Sequence, residues 1–253
     1  MAFVHLGIHS EYSITDSIVR IKPLVKAAAA DNQRALALTD LSNLYATVKF
    51  YRACLGAGIK PIIGSEVIMD NEDTRLTLLA MNNEGYQNIT RIVSLGFTEG
   101  RADPVNHGTP VIKRSHILEH AAGVIVLLTE KSDVGQALVG SMPEKADELL
   151  TEWQAQFGDR LYFAIKRTNR SGEDAFIRAA IHSGAKHNIP IIAHNDVRFL
   201  AQEDFDAHEA RVCIAGSYVL ADPSRPQTYS DEQYLKTQEQ MAQLFADIPQ
   251  VVD

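Results

Sequence analysis

Seven short apolar runs, each set off from the next by a helical or irregular segment, limit what this chain can fold into more than any other feature. They cover residues 4–9, 35–39, 61–68, 75–81, 123–129, 161–166 and 190–194, lengths suited to buried strands. Helical periodicity marks 23–30, 44–55, 84–95, 143–157, 173–187 and 203–215. Pro23 stands at a first-turn position that tolerates proline. The 44–55 segment places Leu44, Val48, Tyr51 and Leu55 on one stripe and stops at Gly56 and Gly58. Alternation of this kind predicts an α/β fold with a parallel sheet and right-handed crossovers. An open doubly wound sheet and a closed barrel both satisfy the pattern, and a barrel uses 253 residues as one domain. Two stretches read as irregular: 99–110, rich in Gly, Pro and Asp, and 221–229, with Pro223 and Pro226. The second divides the chain into a barrel domain, 1–220, and a C-terminal extension, 221–253.

Charge and composition narrow the function. With 24 basic and 32 acidic residues the net charge is −8, whereas a domain gripping nucleic acid through its own field is basic. Little direct DNA binding is therefore expected. Cys54 and Cys213 form no paired metal or redox motif. The N-terminus lacks a signal-peptide pattern, and the longest apolar run, 121–128, falls far short of the roughly 20 residues of a membrane helix. A cytoplasmic location follows as the expectation, with no membrane partner.

The period of two along the first strand puts His5, Gly7 and His9 on one face. Imidazoles spaced in this way can face a metal, and they equally suit hydrogen-bonded strand histidines. Asp40, Glu66 and Asp196 each fall near the end of a strand, and His194 just before one of them. Parallel α/β folds place chemistry at carboxyl strand ends, although acids there also cap helices or form Asx turns. His107, His116, His120, His182, His187 and His208 lack metal-ligand spacing and read as surface or packing residues. No Gly-rich phosphate loop, GxSxG elbow or HExxH helix is present.

Longer stretches carry a family resemblance. Phe3-Val-His-Leu-Gly-Ile-His-Ser-Glu-Tyr-Ser13, Ala37-Leu-Thr-Asp-Leu-Ser-Asn-Leu-Tyr45 and Gly58-Ile-Lys-Pro-Ile-Ile-Gly-Ser-Glu66 occur in that order. Leu76-Thr-Leu-Leu-Ala80, Asn83-Glu-Gly-Tyr-Gln-Asn88, Asn195-Asp-Val-Arg-Phe199 and Asp204-Phe-Asp-Ala-His-Glu209 follow. This series resembles the PHP (polymerase and histidinol phosphatase) domains at the N-terminus of bacterial DNA polymerase III α subunits. The resemblance implies a distorted, TIM-like, seven-stranded (βα)7 barrel, the PHP fold, with a trinuclear metal site at its mouth. In metal-binding members that site supports phosphoesterase or 3′–5′ exonuclease chemistry.

Position by position, the ligand set is incomplete. Gly7 stands where the first motif should have histidine, Leu41 where the second should, and Arg75 and Arg198 at two further histidine positions. Leu128-Thr-Glu130 lacks the expected cysteine. His9, Asp40, Glu66 and Asp196 remain as vestigial ligand positions, with His5 and His194 as extra donors. The expectation is a degenerate site with no cofactor, at most a weakly bound divalent metal. Arg75 and Arg198 would then turn into the old site as cations in place of metal and pair with the stranded acids. The resemblance implies a structural and interaction module in chromosomal DNA replication. It would support the palm and thumb of the same chain and dock the proofreading exonuclease subunit within the replicase holoenzyme. Polymerisation, with its Mg²⁺, would belong to a parent DNA-directed DNA polymerase (a nucleotidyltransferase), and the ending at Val251-Val-Asp253 suggests a piece of such a chain. The alternative is a phosphoesterase or 3′–5′ exonuclease active in this domain.

Overall fold

A computed structural model describes residues 3–71, 73–106 and 108–252. In chain order its elements are β1 (Gly7–Ile8), α1 (Ile21–Ala30), β2 (Ala35–Leu38), α2 (Thr47–Gly56), β3 (Lys60–Met69) and β4 (Arg75–Ala80). Then come α3 (Asn83–Leu95), β5 (Val111–Ile112), α4 (Arg114–Glu119), β6 (Val124–Leu128), α5 (Asp133–Val139) and α6 (Pro143–Phe157). The last are β7 (Leu161–Ile165), α7 (Glu173–His187), β8 (Ile191–Ala193), β9 (Asp196–Val197), α8 (Phe205–Gly216) and α9 (Gln238–Leu244).

The four consecutive apolar residues of β2, Ala-Leu-Ala-Leu, are buried on both faces, as a strand covered by helices outside and by the barrel inside must be. The curled sheet runs β2-β3-β4-β6-β7-β8, with β5 added to the far end of β3. β1 closes the ring. It pairs with β9, and its neighbour on the other side is β2, through Ala37 N to His5 O at 2.9 Å and Thr39 N to Ile8 O at 2.9 Å. The seven apolar runs thus become the seven staves of a distorted (βα)7 barrel. The hydrogen-bonded part of the first is shorter than the expected 4–9, because the Thr39 hydroxyl takes the place of a backbone acceptor for Ile8 N.

The sheet is mixed, a departure from the expected parallel one. β4 lies antiparallel to both β3 and β6. The chain reverses through a tight turn in which Asp70 adopts φ 58° and the Asn71 carboxamide oxygen accepts from Thr74 N at 3.0 Å. A connection that short cannot carry the crossover a parallel neighbour requires.

The larger part of the core lies between sheet and helices. α6 buries Ala146, Leu149, Leu150, Trp153 and Phe157 against the outer face of the sheet, and α1 buries Ile21, Leu24, Val25 and Ala28. Each large side chain so placed contributes about 1.5–3 kcal/mol. The barrel interior holds a smaller set: Ala37, Leu79, Leu127 and Ala164. Past residue 220 the chain returns to the barrel, and Met241, Phe245, Val251 and Val252 join the principal core.

α2 begins at Thr47, later than the expected residue 44, and inverts the expected stripe. Phe50 and Cys54 face the core, while Val48, Tyr51 and Leu55 are 63%, 48% and 56% exposed. Both faces of this helix are apolar, and Phe50 and Cys54 fit the space behind β2.

Candidate functional site

Strand ends gather charged side chains at one mouth of the barrel. His9 follows β1, Asp40 follows β2, Glu66 lies in β3 and Arg75 opens β4. Glu130 follows β6, Lys166 follows β7, Asp196 lies in β9 and Arg198 comes just after it. His9, Asp40, Glu66, Asp196 and Arg198 are all buried.

Arg198, 1% exposed, is the centre of this cluster. Its guanidinium lies 2.6 Å from Asp196 Oδ1, 3.1 Å from Asp16 Oδ2 and 3.8 Å from Glu66 Oε2. Arg75, 22% exposed, reaches Glu66 Oε2 at 3.5 Å. Asp196 also meets Lys166 at 3.4 Å, Arg170 at 3.3 Å and the Gln233 carboxamide at 2.9 Å. Lys166 in turn pairs with Glu130 at 3.0 Å.

Burial would raise the Asp16 and Asp196 carboxyls, yet Arg198, helped by His9 at the first and by Lys166 at the second, holds both well below the usual range. Glu66, opposed by the same burial, is held low by His9, Arg75 and Arg198. Lys131 has the opposite balance: burial, then the nearby Lys166, lowers its ammonium to about 8.

Asp40 is separate from this network. It accepts from Ser10 N at 2.6 Å, Ser10 Oγ at 2.8 Å and Ser13 Oγ at 2.7 Å, and neither arginine reaches it among the described residues. Of the stranded acids, Arg198 meets Asp196 and Glu66 and Arg75 meets Glu66, while Asp40 is held by other groups. Two hydroxyls and a backbone N–H from the turn after β1 are close enough to satisfy it.

The extra donors also lie apart from the arginine cluster. His5 is hydrogen-bonded to Lys236 O at 2.8 Å, and burial lowers its imidazole to about 4. Burial, with Lys166, lowers His194 to about 4 as well, so both rings are neutral. The His194 ring occupies the space that a side chain at position 7 would need, and any Cβ added to Gly7 would overlap it. Of the other histidines, His187 pairs with Asp147 at 2.7 Å and His116 lies 3.5 Å from Glu99. His208 packs under the site with Nε2 at 3.2 Å from Asp16 O. His107 lies outside the described residues.

Asp16, Lys166 and Arg170 were not singled out from sequence. Lys166 occupies a strand end and was open to the same rule that found the acids. Asp16 carried no such signal. It reaches the site because the chain doubles back after His9 through Ile14, at φ 58°, and it is held there by His9 Nδ1 at 2.6 Å and by the Tyr229 hydroxyl.

Donor atoms of His9, Asp16 and Glu66 lie within 4.8 Å of one another, close enough in principle for a cation. The space is contested. The Asp16 oxygen that faces His9 also faces Arg198, and the other guanidinium nitrogen approaches the Glu66 oxygen that His9 approaches at 3.4 Å. With Arg198 set against the Asp16 and Glu66 oxygens and Arg75 against Glu66, the residues present do not fit a trinuclear metal cluster.

The PHP domain family model matches residues 5–168. The chain is 44% identical over 258 residues to DNA polymerase III subunit alpha of Pseudomonas fluorescens, and 41% identical over 256 residues to that of Escherichia coli K12. Those alignments take in 100% and 99% of this chain, and the chain spans 22% of each relative's length. Among solved structures, a Bifidobacterium adolescentis protein assigned as a metal-dependent phosphoesterase aligns with TM-score 0.50 and 14% identity, over 77% of this chain and 87% of its own. An amidohydrolase from Chromobacterium violaceum, with bound sulfate and no metal, aligns with TM-score 0.50 and 16% identity, over 83% and 97%. At such identities these two speak to the fold alone. Among the described residues no helix is long and apolar enough to cross a membrane.

Proposed function

The chain belongs to the PHP domain family, and on that premise we propose that it is the PHP domain of a replicative DNA polymerase α subunit, acting as a structural and protein-interaction module with no hydrolytic activity. The observation that carries this reading is Arg198, buried between Asp196, Asp16 and Glu66 where a metal-dependent relative would need cations. A guanidinium fixes carboxylates in place but supplies neither an open coordination position nor an activated water. The mouth therefore works as an internal strut that joins β1, β3 and β9.

In the same proposal the rest of the α subunit, its palm and thumb, rests on this barrel, and the separate proofreading exonuclease subunit docks on it within the holoenzyme. Nucleotidyl transfer and its Mg²⁺ belong to the remainder of the parent chain, the setting is cytoplasmic, and with a net charge of −8 the domain contributes little DNA binding itself.

The second reading is a phosphoesterase or 3′–5′ exonuclease working at His9, Asp16 and Glu66, favoured by the 4.8 Å grouping of their donor atoms. One experiment separates the two: turnover of a chromogenic phosphodiester and of a mismatched primer with added Mn²⁺ or Zn²⁺. The structural reading expects none above the buffer rate. Turnover abolished by Asp16→Asn or Glu66→Gln would establish the hydrolase instead.

A further inference from the structure

The outward stripe of α2 has no role in the barrel. Val48, Tyr51 and Leu55 recur at intervals of three and four residues, the spacing with which one helix meets another, and Tyr45, 68% exposed, extends the row. The core-facing side chains of the same helix, Phe50 and Cys54, are fully buried, so the helix is already seated and its second apolar face is surplus to the fold. Single exposed apolar residues are ordinary, but a continuous row is not.

Beside the row lies a cleft of about 340 Å³ between α2 and the start of α3, where Tyr51, Pro61, Ile63 and Tyr86 share the lining with the polar Thr47, Asn82 and Asn83. Met81, 56% exposed, borders it in sequence. The surface is thus a ridge next to a groove, and a helix can insert a row of side chains there.

Charge identifies the occupant. α2 contains Lys49 and Arg52 and no acid, and the exposed Lys60 follows at the start of β3. A basic flank is unusual in a chain of net charge −8. Lys49 approaches Glu11 at 3.4 Å, but among the described residues no carboxylate pairs with Arg52 or Lys60. We propose that the α2–α3 cleft docks an amphipathic helix of a separate protein, with an apolar ridge seated on Val48, Tyr51 and Leu55 and Asp or Glu residues along its flank. A basic apolar helix can also lie on an anionic membrane, but such a helix immerses a convex face, and here the apolar row borders a cleft that Thr47, Asn82 and Asn83 make partly polar. The inference does not depend on the polymerase assignment.

The test is fluorescence anisotropy with a labelled, stapled peptide carrying Leu at helical spacing and Glu flanks, beside a twin with Lys flanks. The Glu peptide should bind with micromolar affinity and the Lys twin far more weakly. Tyr51→Ser with Leu55→Ser should weaken the Glu peptide about tenfold or more. Because these side chains are exposed, the variant should keep the parent's circular dichroism and melting temperature. Arg52→Glu should reverse the preference towards the Lys twin. Equal binding of both peptides, or binding indifferent to the Tyr51 and Leu55 changes, would overturn the proposal. So would sedimentation with phosphatidylserine vesicles in preference to peptide binding, or a dimer in light scattering that Leu55→Ser dissolves.

Discussion

Replacing Arg198 by alanine should destabilise the fold more than any other single change at the barrel mouth. The guanidinium lies 2.6, 3.1 and 3.8 Å from three buried carboxylates. At an effective dielectric of about 20, each such contact amounts to about 4–6 kcal/mol of gross attraction. The cost of taking four charged groups out of water opposes most of that sum. What a deletion exposes is the stranded partner, and removing one member of a buried ion pair costs about 3–5 kcal/mol. For a domain of this size such a loss corresponds to a fall of roughly 6–20 °C in melting temperature. Urea denaturation followed by tryptophan fluorescence and far-ultraviolet circular dichroism reads the loss directly, Trp153 being the only tryptophan. Arg198→Lys should recover part of the loss, because an ammonium restores the charge but cannot bridge Asp16 and Asp196 with a planar fork. A loss for Arg198→Ala within the roughly 0–1 kcal/mol typical of a surface arginine would show that Arg198 does not hold these acids.

Acid should act in opposite senses on parent and variant. In the parent, Asp16, Glu66 and Asp196 titrate below their unfolded values, so their stabilisation is complete above about pH 4–5 and is lost as pH falls further. In Arg198→Ala the same acids, buried without their main cation, should titrate higher, and the gap between the two proteins in denaturant titrations should narrow from pH 7 to pH 5; a constant gap would contradict the pairing. Gly7→Ala should cost about 1–3 kcal/mol through overlap with the His194 ring, and His194→Ala in the same chain should recover part of it, as a double-mutant cycle would measure. On size-exclusion chromatography the chain should co-elute with the purified exonuclease subunit at micromolar concentration without DNA, and separate elution of the two folded proteins would remove this domain as the docking site.

Much of the architecture could be read from the chain because buried strands need unbroken apolar runs, and the seven runs became the seven staves. The reversal at β4 was also legible: the interval between Ile68 and Arg75 is too short for any crossover, a constraint that strand pattern by itself does not apply. The orientation of α2 was not. Phe50 and Cys54 compete with Val48, Tyr51 and Leu55 for the inward side, and only the space behind β2 decides between them.

At the site, strand-end position located Asp40, Glu66 and Asp196, and their partners were harder to read. Asp16 arrives on a loop whose return depends on one left-handed residue, Ile14. The serines that satisfy Asp40 follow from the shape of the turn after His9, and local sequence does not encode that shape in a periodic pattern.

In the proposed function, protein cations, Arg198 first among them, stand at this barrel mouth in the place of a metal cluster. Elemental analysis of the purified chain after equilibration with excess Mn²⁺ or Zn²⁺ and gel filtration tests it most directly. Substoichiometric metal, unchanged by Asp16→Asn or Glu66→Gln, is expected. A stoichiometric multi-metal load that either substitution removes would contradict it.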